Sequence, residues 1–165
     1  MSASSPSPAN ADLADAGDLA ILRWHDGYLL GYQPMDHVHE EFVELVGQLQ
    51  QAADAELPAL LESFVAHAES HFGEEDRWMR ETDFPARECH INEHAAVMKS
   101  VMEVRELLAK GNHAVVRDLA AELAGWFPGH ADYLDSALSH WMCKRRLGGK
   151  PIVLRRGVES GRVGG

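Results

Sequence analysis

From about Met35 to Trp141 the apolar residues recur three and four apart, the spacing of one face of a helix. Val38, Phe42, Leu45 and Leu49 form a first stripe, and Leu61, Phe64, Ala68, Phe72 and Met79 a second. Val97, Val101, Val104 and Leu108 form a third. Val116, Leu119, Leu123, Trp126, Tyr133 and Ala137 form a fourth. Helix punctuation falls between them: Pro58 suits a first turn, Asp83-Phe84-Pro85 separates the second stripe from the third, and Gly111-Asn112 is a stop before the fourth. No segment alternates with period two. The expected architecture is all-α, an up-down-up-down antiparallel four-helix bundle. Residues 19–34, with Trp24, Tyr28, Leu29, Leu30 and Tyr32, read as an apolar N-terminal arm packed across it. Pro128-Gly129 interrupts the fourth pattern, and the proline ring meets the carbonyl of Ala124, so a kink or break is expected just before His130.

The chain has 165 residues, enough for one domain with a core of its own. Apolar residues are 45% and charged residues 25%, the proportions of a soluble globular protein. No apolar run approaches the roughly 18 residues that a membrane span needs. Cys89 and Cys143 are too few for a disulfide framework and fit a reducing compartment. Residues 1–18 are rich in Ser, Pro, Ala and Asp and read as a disordered extension without the basic and apolar segments of a secretory signal, so a cytoplasmic location is expected. The net charge of −11 is unevenly spread. Residues 144–165 hold seven basic residues and one acid, leaving −17 on the first 143. An acidic body argues against nucleic-acid binding. The Gly-rich basic tail reads as a flexible, solvated end, with docking to a protein partner as its functional alternative. The bundle itself is expected over residues 19–143.

Histidine changes the picture. There are ten, most of them mid-chain, and imidazole is the commonest metal-ligating side chain. His39 shares the inward face of the first helix with Phe42 and Val46. His71 and Glu75 are one turn apart on the second, and His90 and His94 repeat that spacing on the third. His130 follows Trp126 by one turn on the fourth, with Asp135 five residues later. One inward histidine is most often a satisfied core residue, and one i,i+4 pair is a weak signal. Five histidines and two carboxylates on apolar stripes are another matter. Burying each without a partner costs roughly 1–3 kcal/mol even when neutral. A metal centre offsets that cost, and a structural polar network is the alternative. Seven such donors are too many for one tetrahedral zinc and too nitrogen-rich for calcium or magnesium. They suit iron, as two ions bridged by the carboxylates. The chain contains no Glu-x-x-His, the signature of carboxylate-rich di-iron bundles.

At this point the residues resemble the hemerythrin family, specifically its bacterial single-domain members. The resemblance rests on Trp24, on Gly31-Tyr32-Gln33-Pro34-Met35-Asp36-His37-Val38-His39, and on His71-Phe72-Gly73-Glu74-Glu75 with Met79. It continues through Pro85, His90-x3-His94 and Trp126-x3-His130-x4-Asp135, covering about residues 24–136. It implies a four-helix bundle around two non-haem iron ions joined by an oxygen bridge and binding O2 reversibly. Carried over, His90, His94 and His130 would hold one iron, His39 and His71 the other, and Glu75 and Asp135 would bridge them. The two-histidine iron would keep an open position for O2. Asp135 lies about 500° along a regular helix from His130, so a local distortion would help both reach the metals.

The remaining candidates are set aside. His67, four before His71, reads as a surface residue, with a place beside the ligands as the alternative. His37 points away from His39, and His25, His113 and His140 lie at exposed segment ends. Cys89 reads as a buried or half-buried thiol. Trp78, Met79, Met98 and Met102 read as core. The functional expectation is a carrier, store or local supplier of O2 rather than an enzyme. A sensing module acting through a partner, or oxidase or peroxidase chemistry at the same irons, are the alternatives.

Overall fold

The first helix begins where the arm locks onto it. In this computed structural model, which describes residues 20–147, α1 spans Gln33–Gln51 with Pro34 in its first turn, where the missing N–H costs nothing. The Asp36 carboxylate reaches back to accept the N–H groups of Leu30 and Gly31 at 2.7 and 3.0 Å. The arm then runs along α1. Leu22 donates its N–H to Gln50 Oε1, and a Cβ placed on Gly47 would stand 2.7 Å from the Leu22 carbonyl oxygen. Tyr28 packs edge-on against Phe127 at 5.3 Å. The expected extension 1–18 and the tail beyond residue 147 lie outside the described residues.

Helix α2 spans Leu57–Glu81 and α3 spans Arg87–Ala109. Both end in the same hydrogen-bonded stop. Phe84 and Asp83 donate to the Met79 and Arg80 carbonyls after α2, and Asn112 and Gly111 donate to Leu107 and Leu108 after α3. The residue in the left-handed conformation is Gly111 (φ 91°) in one and Asp83 (φ 53°) in the other. Glycine visits that region freely, and aspartate is among the few side chains that tolerate it.

Helix α4, Ala114–His130, runs unbroken through Pro128. The break expected before His130 does not occur, and the change in helix type comes after it. Ala131–Asp135 forms a π turn, in which Ser136 N–H bonds the Ala131 carbonyl five residues back, and α5, Ser136–Met142, continues the rod. A second π turn, Cys143–Leu147, makes the first residues assigned to the basic tail helical. Arg145 lies over the Trp141 ring at 4.4 Å, a cation–π contact that helps hold this end.

Helices α1 and α3 each pack against α2 and α4, giving the four-helix bundle. No strand occurs among the described residues, and no helix there is long and apolar enough to cross a membrane. The apolar interior falls into two clusters. The larger contains Phe42, Val46, Leu61, Phe64, Phe72, Val101, Leu123 and Phe127. The smaller contains Tyr32, Met35, Trp78, Met79, Phe84, Leu138 and Met142. Tyr133, expected on the fourth stripe, is 81% exposed, because the π turn rotates that stretch away from the core. Ala137 is also exposed, and on α3 only Val101 of the four stripe residues is fully buried.

Candidate metal centre

On two helices a polar donor sits between a residue of the smaller cluster and one of the larger: Met35, His39, Phe42 on α1 and Phe72, Glu75, Met79 on α2. His39, His71, Glu75, His90, His94, His130 and Asp135 are all buried, none more than 5% exposed. The structure therefore brings the seven predicted donors into one layer across the bundle. The π turn is what admits Asp135. On a regular helix it would face away from His130, but with the extra residue in the turn its Oδ1 lies 3.2 Å from His130 Nε2.

Each carboxylate divides its two oxygens. Glu75 Oε1 lies 2.8 Å from His71 Nε2 and 3.4 Å from His39 Nε2. Glu75 Oε2 lies 3.3 Å from His94 Nε2 and 3.6 Å from His90 Nε2. Asp135 Oδ2 lies 3.0 Å from His39 Nε2, and its Oδ1 lies 2.9 Å from His90 Nε2. Two donor groups result, Glu75, His90, His94, His130 and Asp135 in one and His39, His71 and Glu75 in the other. Within each, the donor atoms fall within 4.8 Å of one another.

The fit to metal ions rests on what these atoms do not do. His39 Nε2, His90 Nε2, Glu75 Oε2 and both Asp135 oxygens are buried without a hydrogen bond, although opposite charges lie at ion-pair distance. These atoms face one another at 2.9 to 3.6 Å without making hydrogen bonds. Two ring nitrogens make the point sharply. His94 Nδ1 lies 2.7 Å from Asp76 Oδ1 and His130 Nδ1 lies 2.9 Å from Glu93 Oε1. A carboxylate accepts, so both rings carry a proton on Nδ1. Their Nε2 atoms then face each other at 3.2 Å and need either one further proton or a metal cation between them. This donor set, imidazole with carboxylate, suits iron.

Electrostatics agree. Burial pulls His39 down, but Asp135 and Glu75 outweigh it and raise it to about 10. Burial likewise opposes His94, which Asp76 and Glu75 raise to about 9. Burial and Asp135 push the Glu75 carboxyl up, yet His71 and His39 hold it well below the usual carboxylate range. Asp135 is pushed up by burial and held well below that range by His39, His130 and His90. A layer of this kind concentrates anionic oxygen at positions that only cations neutralise.

Asp76 and Glu93 escaped the sequence reading. The signal was present: an acid adjoins Glu75 and another adjoins His94, and metal-bound imidazoles commonly give their second N–H to a carboxylate. Glu93 also accepts the Trp126 indole N–H at 2.9 Å, and Trp126 stacks on His130 at 4.2 Å. His67 is not a surface residue. Its side chain is 10% exposed, wedged against His71 with 5.3 Å between ring centres, and burial with the nearby His71 and His39 lowers it to about 4. His25, His37 and His140 are exposed, whereas His113 is half-buried. Cys89 is exposed, since it falls on the outer face one position before His90, while Cys143 is buried.

Comparison with known proteins places this geometry. Residues 30–139 match the family model described as the hemerythrin HHE cation binding domain. The chain is 36% identical over 127 residues to a bacteriohemerythrin of Ralstonia nicotianae, covering 77% of this chain and 93% of that protein. It is 34% identical to a bacteriohemerythrin of Aquifex aeolicus over 62% of this chain and 82% of the relative, and 28% identical to one of Pseudomonas aeruginosa over 75% and 86%. The chain belongs to the hemerythrin family, a family of non-haem di-iron proteins that bind O2.

Proposed function

We propose that the protein binds O2 reversibly and serves as a carrier, store or local supplier of O2 to oxygen-requiring reactions. The observation that carries the reading is the division of each carboxylate between two imidazole groups. Glu75 turns one oxygen to His39 and His71 and the other to His90 and His94, and Asp135 turns one to His39 and the other to His90 and His130. In this assignment His90, His94 and His130 hold one ion, His39 and His71 the other, and Glu75 and Asp135 bridge. The side with two imidazoles has fewer protein donors and is the side that keeps room for a ligand. When bound, the two ions supply the electrons that O2 takes up and returns.

The chain's own part is positioning and exclusion of water. Asp76 and Glu93 fix the rings of His94 and His130 so that Nε2 points inward. Phe42 and Phe127 stack at 5.2 Å, and Phe127 meets His39 edge-on at 5.4 Å. Phe42 and Phe72 flank His71 at 5.8 and 5.1 Å. These rings supply a dry wall on the two-imidazole side and keep bulk protons from a bound ligand.

The test is optical. Reduced, iron-loaded protein exposed to O2 develops a visible charge-transfer band, loses it when O2 is removed, and regains it on re-exposure. Immediate one-way conversion to the ferric form removes the carrier reading, and a colourless zinc protein removes the di-iron reading. His130→Ala lowers the iron content below two per chain. Unchanged iron would take His130 out of the ligand set.

A further inference from the structure

Helices α3 and α4 make the looser seam of the bundle. Of the 23 residues of α3 only His90, His94 and Val101 are buried. A cleft of about 270 Å³ opens along this seam, with Val97 and Leu123 in its floor, Ser100 at its side, and Glu93 and Glu122 among its polar lining. Trp126, half-buried, forms its inner end.

Trp126 touches everything behind it. Its ring lies 6.1 Å from Phe72 and 6.2 Å from Phe42, within the range of aromatic pairs, and both of those rings flank His71. One side chain thus separates a solvent-open cleft from the aromatic wall beside the two-imidazole side of the donor layer. The other described cavity, between the arm and α1, differs. It is lined by Leu22, Arg23, Trp24, Glu40 and Gln51 among others, and none of its residues bonds to or stacks on one of the seven donors. The indole gives its N–H to Glu93, and its ring stacks on His130 at 4.2 Å.

We propose that the α3–α4 cleft is the port through which neutral diatomic gases reach the His71 side, with Trp126 as its door and Glu93 and Glu122 as a screen against small anions. An apolar floor favours O2 over water, and a half-buried indole at the end of a solvent-open cleft opens by a side-chain swing. Two carboxylates in the lining oppose the approach of an anion and leave a neutral gas unaffected, an effect that salt screens. This port rests on the O2-binding reading above.

Stopped-flow mixing of the iron-loaded protein tests it. Ser100→Trp, on the exposed side of the cleft, slows O2 association about tenfold and leaves the spectrum of the O2-bound form unchanged. Trp126→Ala speeds association of both O2 and azide. Glu122→Lys speeds azide binding to the ferric protein severalfold at low salt and leaves O2 association unchanged. Crystals under xenon pressure show a gas atom between Val97, Leu123 and Trp126. Parent-like O2 rates in both Ser100→Trp and Trp126→Ala overturn the port, and an equal response of O2 and azide to Glu122→Lys overturns the screen. If no variant, the parent included, forms the reversible band, it is the O2-binding reading that fails, while the xenon position still judges the cleft.

Discussion

At the scale of single residues, the seven-residue layer is braced by side chains outside it. Glu93 holds both the His130 ring and the Trp126 indole with one carboxylate, and burial of that carboxylate is outweighed by His130, which keeps it below its ordinary range. Glu93→Gln removes the charge and keeps the shape. Its iron affinity is expected to fall about 10–100-fold in competition with a chelator, as is usual when a partner of a metal-bound imidazole is lost. A parent-like competition curve would show that Glu93 does not orient the ligand. That these seven side chains meet in one buried layer was legible in the sequence, because polar residues on an apolar stripe need a reason to be there. Asp76 and Glu93 were not, because each lies beside the stripe, where a half-buried acid looks like any solvated one. His67 was misjudged for a related reason. Periodicity gives its side of the helix but not that Glu41 on α1 sits over it.

At the scale of elements, two features are open to single-residue edits. The π turn between His130 and Asp135 is one residue longer than a regular turn, and Tyr133 within it is 81% exposed. Deleting Tyr133 leaves the histidine and the aspartate four apart, on one face of an ordinary helix. The deletion is expected to retain two irons per chain, measured by elemental analysis. Inserting an alanine there, which turns the aspartate away, is expected to lose them. The opposite result would mean that the widened turn itself, and not the facing it produces, is required. The second feature is Gly47. Alanine there brings a Cβ against the Leu22 carbonyl, a backbone atom that cannot swing aside. Gly47→Ala is expected to cost about 1–3 kcal/mol. It should also raise hydrogen exchange at the Leu22 amide, and unchanged protection there would show that the arm has slack. The sequence disclosed four helices, their stops and the need for a distortion near Pro128. It did not disclose the distortion's place, since a proline marks where a hydrogen bond is missing and not where the chain absorbs the change.

At the scale of the whole molecule, ties between distant segments govern how the fold responds to acid. Arg117 on α4 reaches the connection between α1 and α2, donating to the Ala52 carbonyl and to the Asp54 carboxylate. That bond lowers the Asp54 carboxyl from its ordinary 3.8. An acid held lower in the folded chain than in the unfolded one stabilises above its unfolded value, and the contribution disappears as pH falls through the folded one. Asp54→Asn is therefore expected to lower the urea midpoint slightly at neutral pH, with the difference from the parent shrinking once pH falls below about 4 and vanishing only below the lowered folded value. The pair is exposed, so the effect is small and fades with salt. A difference that persists at low pH would assign the loss to packing.

The donor layer between the two apolar clusters has a consequence for how the protein is assembled. Without metal, the chain is two apolar cores joined by a seam of buried imidazoles and carboxylates that have only one another as partners. With metal, the seam becomes a cross-link joining four helices and closing a loop of chain from His39 to Asp135. Such a link gains most when the segments it closes are long. The two cores can therefore form by collapse first and in either order. Loading the metal is then expected to couple the two cores, so that removing it with a chelator lowers the cooperativity of unfolding.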